Sequence, residues 1–165
     1  MSGPFASDLL TGRTALVTGG GTGLGLAIAE GLSAAGADVV IAARQRERLE
    51  AAAEQLRSRT GGSVAVDVVD IRNRETIEAL AGRHQIDILV NNAGGQFPQK
   101  ARDYSPNGWG SVIDLNLTGT WAMTQVFGNQ MLAADGGAIV QIVAIVGRGI
   151  PGIAHSAAAR AGLVD

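Results

Sequence analysis

Thr14-Ala15-Leu16-Val17-Thr18-Gly19-Gly20-Gly21-Thr22-Gly23-Leu24-Gly25 begins with a short apolar run, passes through a glycine-rich turn and enters a segment with helical spacing. Thr14 to Val17 reads as a buried strand. Leu24, Ala27, Ile28, Gly31, Leu32 and Ala35 then recur on one helical face until Gly36 stops the helix. A strand, a glycine turn and a helix in that order bring free backbone N–H groups and the positive end of a helix dipole to one point, which suits a phosphate group. Glycines there let the chain turn tightly and let a ligand approach the backbone. A tight turn with no ligand is the alternative, and the flanking strand and amphipathic helix weigh against it.

Outward from that turn, the apolar period keeps switching between short runs and helical spacing. Asp38 to Ala43, Ser63 to Val66, Ile86 to Val90 and Ile139 to Val146 read as further strands. Leu49, Ala52, Ala53 and Leu56 mark a second helix, and Ile77, Leu80 and Ala81 a third that Asp70 is placed to cap. Gln96 to Asn107 reads as a surface loop whose Ser105-Pro106 starts a turn or helix. A long helix follows, with Trp109, Val112, Ile113, Leu117, Thr120 and Phe127 on one stripe and polar Asn116 inside that stripe; Gly136-Gly137 end it. A glycine-rich loop then leads to a helical start at Ser156. Strands alternating with helices predict an α/β fold, a Rossmann-type doubly wound parallel sheet in three α/β/α layers, as a single domain over residues 1–165.

Composition narrows the function classes. The 165 residues are 46% apolar and 17% charged, which suits a globular core, and the 24 glycines follow no G-X-Y period or linker tract. A net charge of −2 with 13 basic residues spread along the chain gives no footprint for nucleic acid or an anionic membrane. Zero cysteines exclude disulfides, thiolate metal sites and a cysteine nucleophile, and His84 and His155 lack a ligand pattern, so no metal is expected. Met1 to Gly12 has no signal-peptide pattern and no apolar run approaches ~18 residues, which predicts a soluble, cytoplasmic protein.

The spacing Thr18-Gly19-x-x-x-Gly23-x-Gly25 resembles the short-chain dehydrogenase/reductase family. Asn91-Asn92-Ala93-Gly94 after the fourth strand is similar to that family's Asn-Asn-Ala-Gly motif, Asp67-Val68 to its adenine-contacting pair, and Asn116-Leu117 to the asparagine of its long helix. The resemblance implies cofactor contacts from Gly19, Thr22, Gly23, Leu24, Gly25, Asp67, Val68, Asn92, Ala93 and Gly94. For Asn116 two readings stand together. A buried amide must be hydrogen-bonded, so it ties its helix to neighbouring backbone through a bound water. The resemblance adds that such a water joins a proton relay, which would make Asn116 catalytic.

The end of the second strand bears on the nucleotide. An acidic residue there would bond the adenosine ribose and repel a 2′-phosphate. Ala43 fills that slot and Arg44 follows, a planar fork suited to phosphate, so NADP(H) is expected over NAD(H). The plain alternative makes Arg44, with Arg46 and Arg48, the solvated start of a helix.

The family's catalytic serine and its Tyr-x-x-x-Lys pair are missing. Alignment of the fifth strand puts Ala144 at the serine position, Ser156 in the tyrosine slot and Arg160 in the lysine slot. Tyr104 and Lys100, the sole residues of their types, lie in an earlier loop. A serine hydroxyl is a far weaker acid than a phenol and an arginine stays protonated, so Ser156 and Arg160 do not reproduce the tyrosine's proton cycle. Reduction of a conjugated C=C fits better, because the developing enolate needs hydrogen-bond donors and water can protonate the α-carbon.

Asn92 to Phe97, Gly108-Trp109, Asn116 to Thr120 and His155 to Gly162 resemble the family branch holding peroxisomal trans-2-enoyl-CoA reductase, and Thr18 to Gly25 is similar to the turn of 2,4-dienoyl-CoA reductases. The resemblance implies an acyl-CoA substrate, with Ser156 and Arg160 as analogues of a Ser-x-x-x-Lys arrangement. The plain reading has Ser156 as a helix cap, Arg160 as surface charge and His155 as exposed or a loop donor. A 3-oxoacyl-type carbonyl reductase and a catalytically inactive NADP(H)-binding or scaffold protein are the rival functions. Members of the family continue past the point where this sequence stops, so the domain is expected to be incomplete at its C-terminal end, with the fifth strand an uncovered edge. They also assemble as dimers or tetramers, which implies a homo-oligomer.

Overall fold

The computed structural model describes residues 5–144 and 151–164. Thr14–Thr18 (β1) is the central strand of a five-stranded sheet, between Asp38–Ala43 (β2) on one side and Ile88–Asn91 (β4) on the other. Val64–Val68 (β3) lies beyond β2 and Ala138–Gln141 (β5) beyond β4, giving the order β3-β2-β1-β4-β5. Every pairing is parallel: Val17 stands opposite both Ile41 and Val90, and Asn91 opposite Gln141. Strand order reverses between β1 and β4, and a crevice at such a switch point is where an open α/β sheet takes its ligand.

The helices cover both faces. Gly23–Ala34 (α1) and Arg46–Thr60 (α2) pack over Ala15, Val17, Val39 and Ile41. Arg74–Arg83 (α3) and Gly119–Leu132 (α5) pack over Leu16, Val40 and Leu89, with Phe127 and Met123 fully buried between. Successive strand residues therefore feed opposite cores. That is why these strands read as continuous apolar runs rather than alternating ones. No helix among the described residues is long and apolar enough to cross a membrane.

Several sequence expectations are corrected. Asn73, not Asp70, caps α3: its side-chain oxygen accepts the Glu75 N–H at 2.9 Å, while Asp70 binds the Arg72 guanidinium and N–H. Strand β3 runs on to Val68, β4 starts at Ile88, and β5 ends at Gln141. Residues 145 and 146 of the expected fifth strand, and the start of the glycine-rich loop after it, lie outside the described residues. The long helix is three pieces: Pro106–Ile113 (α4), a π-helical turn over Asp114–Thr118, and α5. Ala154–Ala161 (α6) begins two residues before Ser156. Val140 on β5, the last strand in the sheet order, is 45% exposed.

Asp87 ties the entrances of β1 and β4 together, at the end of the sheet opposite the crevice, by accepting the Thr14 N–H at 2.8 Å and an Arg13 guanidinium bond at 3.0 Å. The Thr14 N–H, helped by Arg13 against a small burial penalty, holds the Asp87 carboxyl below the usual carboxylate range. A folded value below the unfolded one (~3.9) gives stability that is full above that pH and is lost as pH falls through the folded value. Asp87→Asn is expected to flatten the acid limb of urea-measured stability below about pH 4. An unchanged acid limb would contradict this.

Candidate functional site

The crevice starts from the Thr18 hydroxyl at the end of β1. Thr18 Oγ1 donates to Val90 O (3.3 Å) and accepts from the Asn92 and Ala93 N–H groups (both 3.0 Å). Asn92 Nδ2 in turn donates to Thr18 O at 3.0 Å. These bonds fix the exits of β1 and β4 against each other. Gly19 then turns with φ +67°, and a side chain there would strike Asn92 Nδ2. Gly25 packs so tightly on the Gly19 carbonyl and Asn92 Nδ2 that a Cβ has no room.

Thr22 caps α1 without a side-chain bond to the helix, so the first amides of α1 have no partner in the helix and face outward. Gly19, Thr22, Leu24, Arg44, Asp70 and Ala93 are among the residues lining a cleft of about 420 Å³ over those amides. A glycine cradle of this shape, with N–H donors at a helix N-terminus, fits the pyrophosphate of a nicotinamide dinucleotide. Of the expected cofactor residues, Gly19, Thr22, Gly23, Leu24, Gly25, Arg44, Asn92, Ala93 and Gly94 all border this cleft.

Asp67 and Val68 do not border it. Both still belong to the β3 ladder, opposite Ala42 and Ala43, and the Asp67 carboxylate takes two bonds from Arg83 (2.8 and 2.9 Å) and one from His84 (3.0 Å). Partial burial raises the Asp67 pKa, but the Arg83 and His84 bonds outweigh it and hold the group below its ordinary value. The acidic-apolar pair at the cleft is Asp70-Ile71, just after the chain leaves the sheet. The Arg72 guanidinium keeps Asp70 ionised by lowering its pKa, against a partial burial penalty.

Arg44 and Arg48 both line the cleft near Ala43, and among the described residues neither guanidinium has a hydrogen-bond or ion-pair partner. Arg46 between them pairs with Glu50 at 3.6 Å.

At the other end of the crevice, Asn116 sits in the π-helical turn and is buried. Its amide makes a reciprocal pair with Gly95, donating to Gly95 O at 2.7 Å and accepting the Gly95 N–H at 2.9 Å. The tie to neighbouring backbone is therefore direct, without a bridging water. The wider π turn is what aims Asn116 sideways at Gly95, a common device at functional sites.

Ser156 and Arg160 meet. Ser156 is fully buried inside α6 rather than capping it, and its hydroxyl lies 2.6 Å from Gln96 Oε1 and 3.3 Å from Arg160 Nε. Arg160 also donates to Ile142 O at 3.1 Å, and its guanidinium passes directly behind Gly94. Burial pushes the Arg160 pKa down, yet arginine stays a cation. His155 is also fully buried, contrary to the exposed reading: it stacks edge-on against Phe97 at 4.7 Å and beside Tyr104 at 4.5 Å. Its Nδ1 accepts the Ser156 N–H at 2.8 Å, and Tyr104 donates its phenol to Gly152 O at 3.0 Å. Ala144, in the slot expected for serine, follows three residues after β5 and carries no hydroxyl. Gln96, which meets Ser156, belongs to the Asn92–Phe97 stretch that carries the resemblance, but as a polar residue in a polar loop it gives no periodicity signal of its own.

Residues 13–165 match the family described as short chain dehydrogenase. The chain belongs to the short-chain dehydrogenase family. It is 41% identical over 163 residues to a probable 2,4-dienoyl-CoA reductase 3 of Caenorhabditis elegans, covering 93% of this chain and 52% of that protein. A 3-oxoacyl-(acyl-carrier-protein) reductase of Chlamydia trachomatis is 38% identical, over 96% of this chain and 66% of its own length. Among solved structures, the citronellol catabolism dehydrogenase of Pseudomonas aeruginosa PAO1 superposes with TM-score 0.90 at 38% identity, over 99% of this chain and 69% of that one. The chain thus spans about half the length of the dienoyl-CoA reductase relatives, 52% and 54% in two of them.

Thr18→Val keeps the shape of the side chain but orphans the Asn92 and Ala93 N–H groups, whereas Thr18→Ser keeps the acceptor. Urea denaturation is expected to show a loss of about 1–3 kcal/mol for the valine variant and little for the serine variant. Equal loss in both would contradict the role given to the hydroxyl.

Proposed function

We propose that the chain is the cofactor-binding part of an NADP(H)-dependent reductase that saturates the C=C bond of an enoyl thioester such as an acyl-CoA. NADPH would lie along the cleft with its pyrophosphate on the amides of α1 and would supply the hydride. The observation that carries the cofactor choice is the pair of unpartnered guanidiniums, Arg44 and Arg48, beside an uncharged Ala43. Two guanidiniums suit a 2′-phosphate, and the position at the end of the second strand where an acidic residue would repel it holds Ala43.

The substrate choice rests on the donors near Gly94. The helix that follows β5 offers a serine and an arginine and no phenol, and the one tyrosine, in the loop before α4, directs its proton to Gly152 O with His155 Nδ1 3.4 Å from the same hydroxyl. Such a site stabilises negative charge on an oxygen but does not deliver a phenolic proton to it. C=C reduction asks for that and nothing more, since the proton goes to carbon from water. The dienoyl-CoA reductase named above, at 41% identity, supports an acyl-CoA substrate. The 3-oxoacyl reductase relative supports the rival carbonyl reduction. Asn116, Ser156 and Arg160 are the proposed catalytic group, with Asn116 holding the Gly94-Gly95 backbone on which the reacting atoms rest. A homo-oligomer is proposed alongside, covering exposed apolar side chains such as Trp121, 53% exposed, on α5.

Fluorescence titration of the full-length protein is expected to show NADPH binding at least about tenfold tighter than NADH, with the preference falling by on the order of tenfold in Arg44→Ala. Equal affinity for both nucleotides would contradict the cofactor assignment. Steady oxidation of NADPH with a trans-2-enoyl-CoA supports the substrate class; oxidation only with 3-oxoacyl thioesters would replace it with carbonyl reduction, and none with either would leave a binding protein.

A further inference from the structure

We propose that Arg72 is a determinant of NADP(H) specificity: it occupies the Asp70 carboxylate, which would otherwise capture the Arg44 guanidinium, and so keeps Arg44 free for the 2′-phosphate. This rests on the NADP(H) reading above and deepens it.

The register of the sheet makes Arg44 and Asp70 neighbours. Ala43, the last residue of β2, stands opposite Val68, and its carbonyl accepts the Val69 N–H at 3.0 Å. The chain continues from that bond as Arg44 on one side and Asp70 on the other, and both residues border the cleft. The two therefore leave the ladder side by side, about one strand spacing apart. A guanidinium and a carboxylate so placed favour a forked ion pair. Arg44 nevertheless has no hydrogen-bond or ion-pair partner among the described residues, whereas nearby Arg46 pairs with Glu50.

The reason is that Asp70 is already engaged. Its Oδ1 accepts the Arg72 N–H at 3.1 Å and the Arg72 Nε–H at 2.9 Å, and its Oδ2 accepts from Arg72 Nη2. The main-chain bond fixes the direction of the carboxylate, and the fork then holds both of its oxygens. Arg72 does most to hold the Asp70 carboxyl below its ordinary value, against partial burial, while Arg44 acts on it by charge alone. Arg72 is held in turn: the Asp70 bonds, and then the charge of Asp114 on the π-helical turn, raise its pKa. With Arg72 kept between two carboxylates, the arginine across the ladder is left free.

Without Arg72 the same register works against the phosphate. Asp70 would turn to Arg44, its neighbour across the ladder. A guanidinium bonded to a carboxylate has to release it before holding a phosphate, and the released carboxylate at the rim of the cleft repels the dianion. NADH carries a hydroxyl in place of the phosphate and meets neither cost. The role of Arg72 therefore shows in the ratio of the two affinities rather than in nucleotide binding as such. Because it acts through Asp70 and Arg44, Arg72 is a positioning residue.

Calorimetric titration of the full-length protein with NADPH and with NADH measures that ratio. Arg72→Met keeps an unbranched stem without the fork, and is expected to cut the preference for NADPH about fivefold while NADH affinity stays within about twofold. Arg72→Lys keeps the charge but not the fork and is expected to move the ratio the same way by about twofold, which covers a methionine variant that fails to fold. Adding Asp70→Asn to Arg72→Met is expected to restore the ratio, since an amide does not capture Arg44 and any contact of Asp70 with the shared part of the nucleotide cancels. A wild type that prefers NADPH, with the same ratio in both single variants, overturns the role of Arg72 and leaves the cofactor assignment standing. A loss of preference that Asp70→Asn does not reverse also overturns it, and would put Arg72 on the phosphate itself. A wild type with no preference that Arg72→Met tips toward NADH, reversibly by Asp70→Asn, supports the role of Arg72 and overturns the NADP(H) assignment alone.

Discussion

One threonine hydroxyl sets the geometry on which the candidate site depends. Thr18 Oγ1 joins the exit of β1 to the exit of β4 through Val90, Asn92 and Ala93, at the point where strand order reverses. Parallel neighbours separate after their last ladder bond, and at a switch point they leave in opposite directions, which opens a crevice. The hydroxyl limits that opening. It keeps Gly19 and Gly25 on one wall within contact of Asn92 on the other, so the crevice is narrow at its floor and lined by backbone. A bound diphosphate would meet N–H groups already in position, with little ordering left to do on binding.

A second constraint concerns polarity rather than shape. Ser156 and Arg160 stand four residues apart along α6 and are therefore in contact. Arginine donates to serine and serine donates to Gln96 Oε1, so the hydrogen bonds run in one direction along this wall of the site.

Much of the sheet was legible because buried parallel strands are continuous apolar runs punctuated by glycine. β1, β2 and the turn after Thr18 needed nothing more. Other features depended on three-dimensional accounting. Asp67-Val68 and Asp70-Ile71 are the same acidic-apolar pair three residues apart, and only the point where β3 leaves its ladder decides which reaches the cleft. Asp70 was a plausible cap for α3, but Arg72 takes its carboxylate and leaves the role to Asn73. Early initiation of α6 buries Ser156 and His155, where one of two readings from sequence had Ser156 as a cap and His155 as exposed or a loop donor. The π turn that swings Asn116 toward Gly95 leaves no mark in an apolar stripe, since one extra residue in a helical turn hardly disturbs the period.

The central claim is that the crevice over the first turn of α1 receives a nicotinamide dinucleotide along its whole length. Amide hydrogen exchange on the full-length protein, with and without saturating NADP+, tests it most directly. The account predicts new protection confined to the amides of Gly19 to Gly25, Arg44, Asp70-Ile71 and Ala93 to Gly95, with β3 and the outer faces of α2 and α3 unchanged. Protection centred on Asp67, Arg83 and His84, or no change at Gly19 to Gly25, would contradict it.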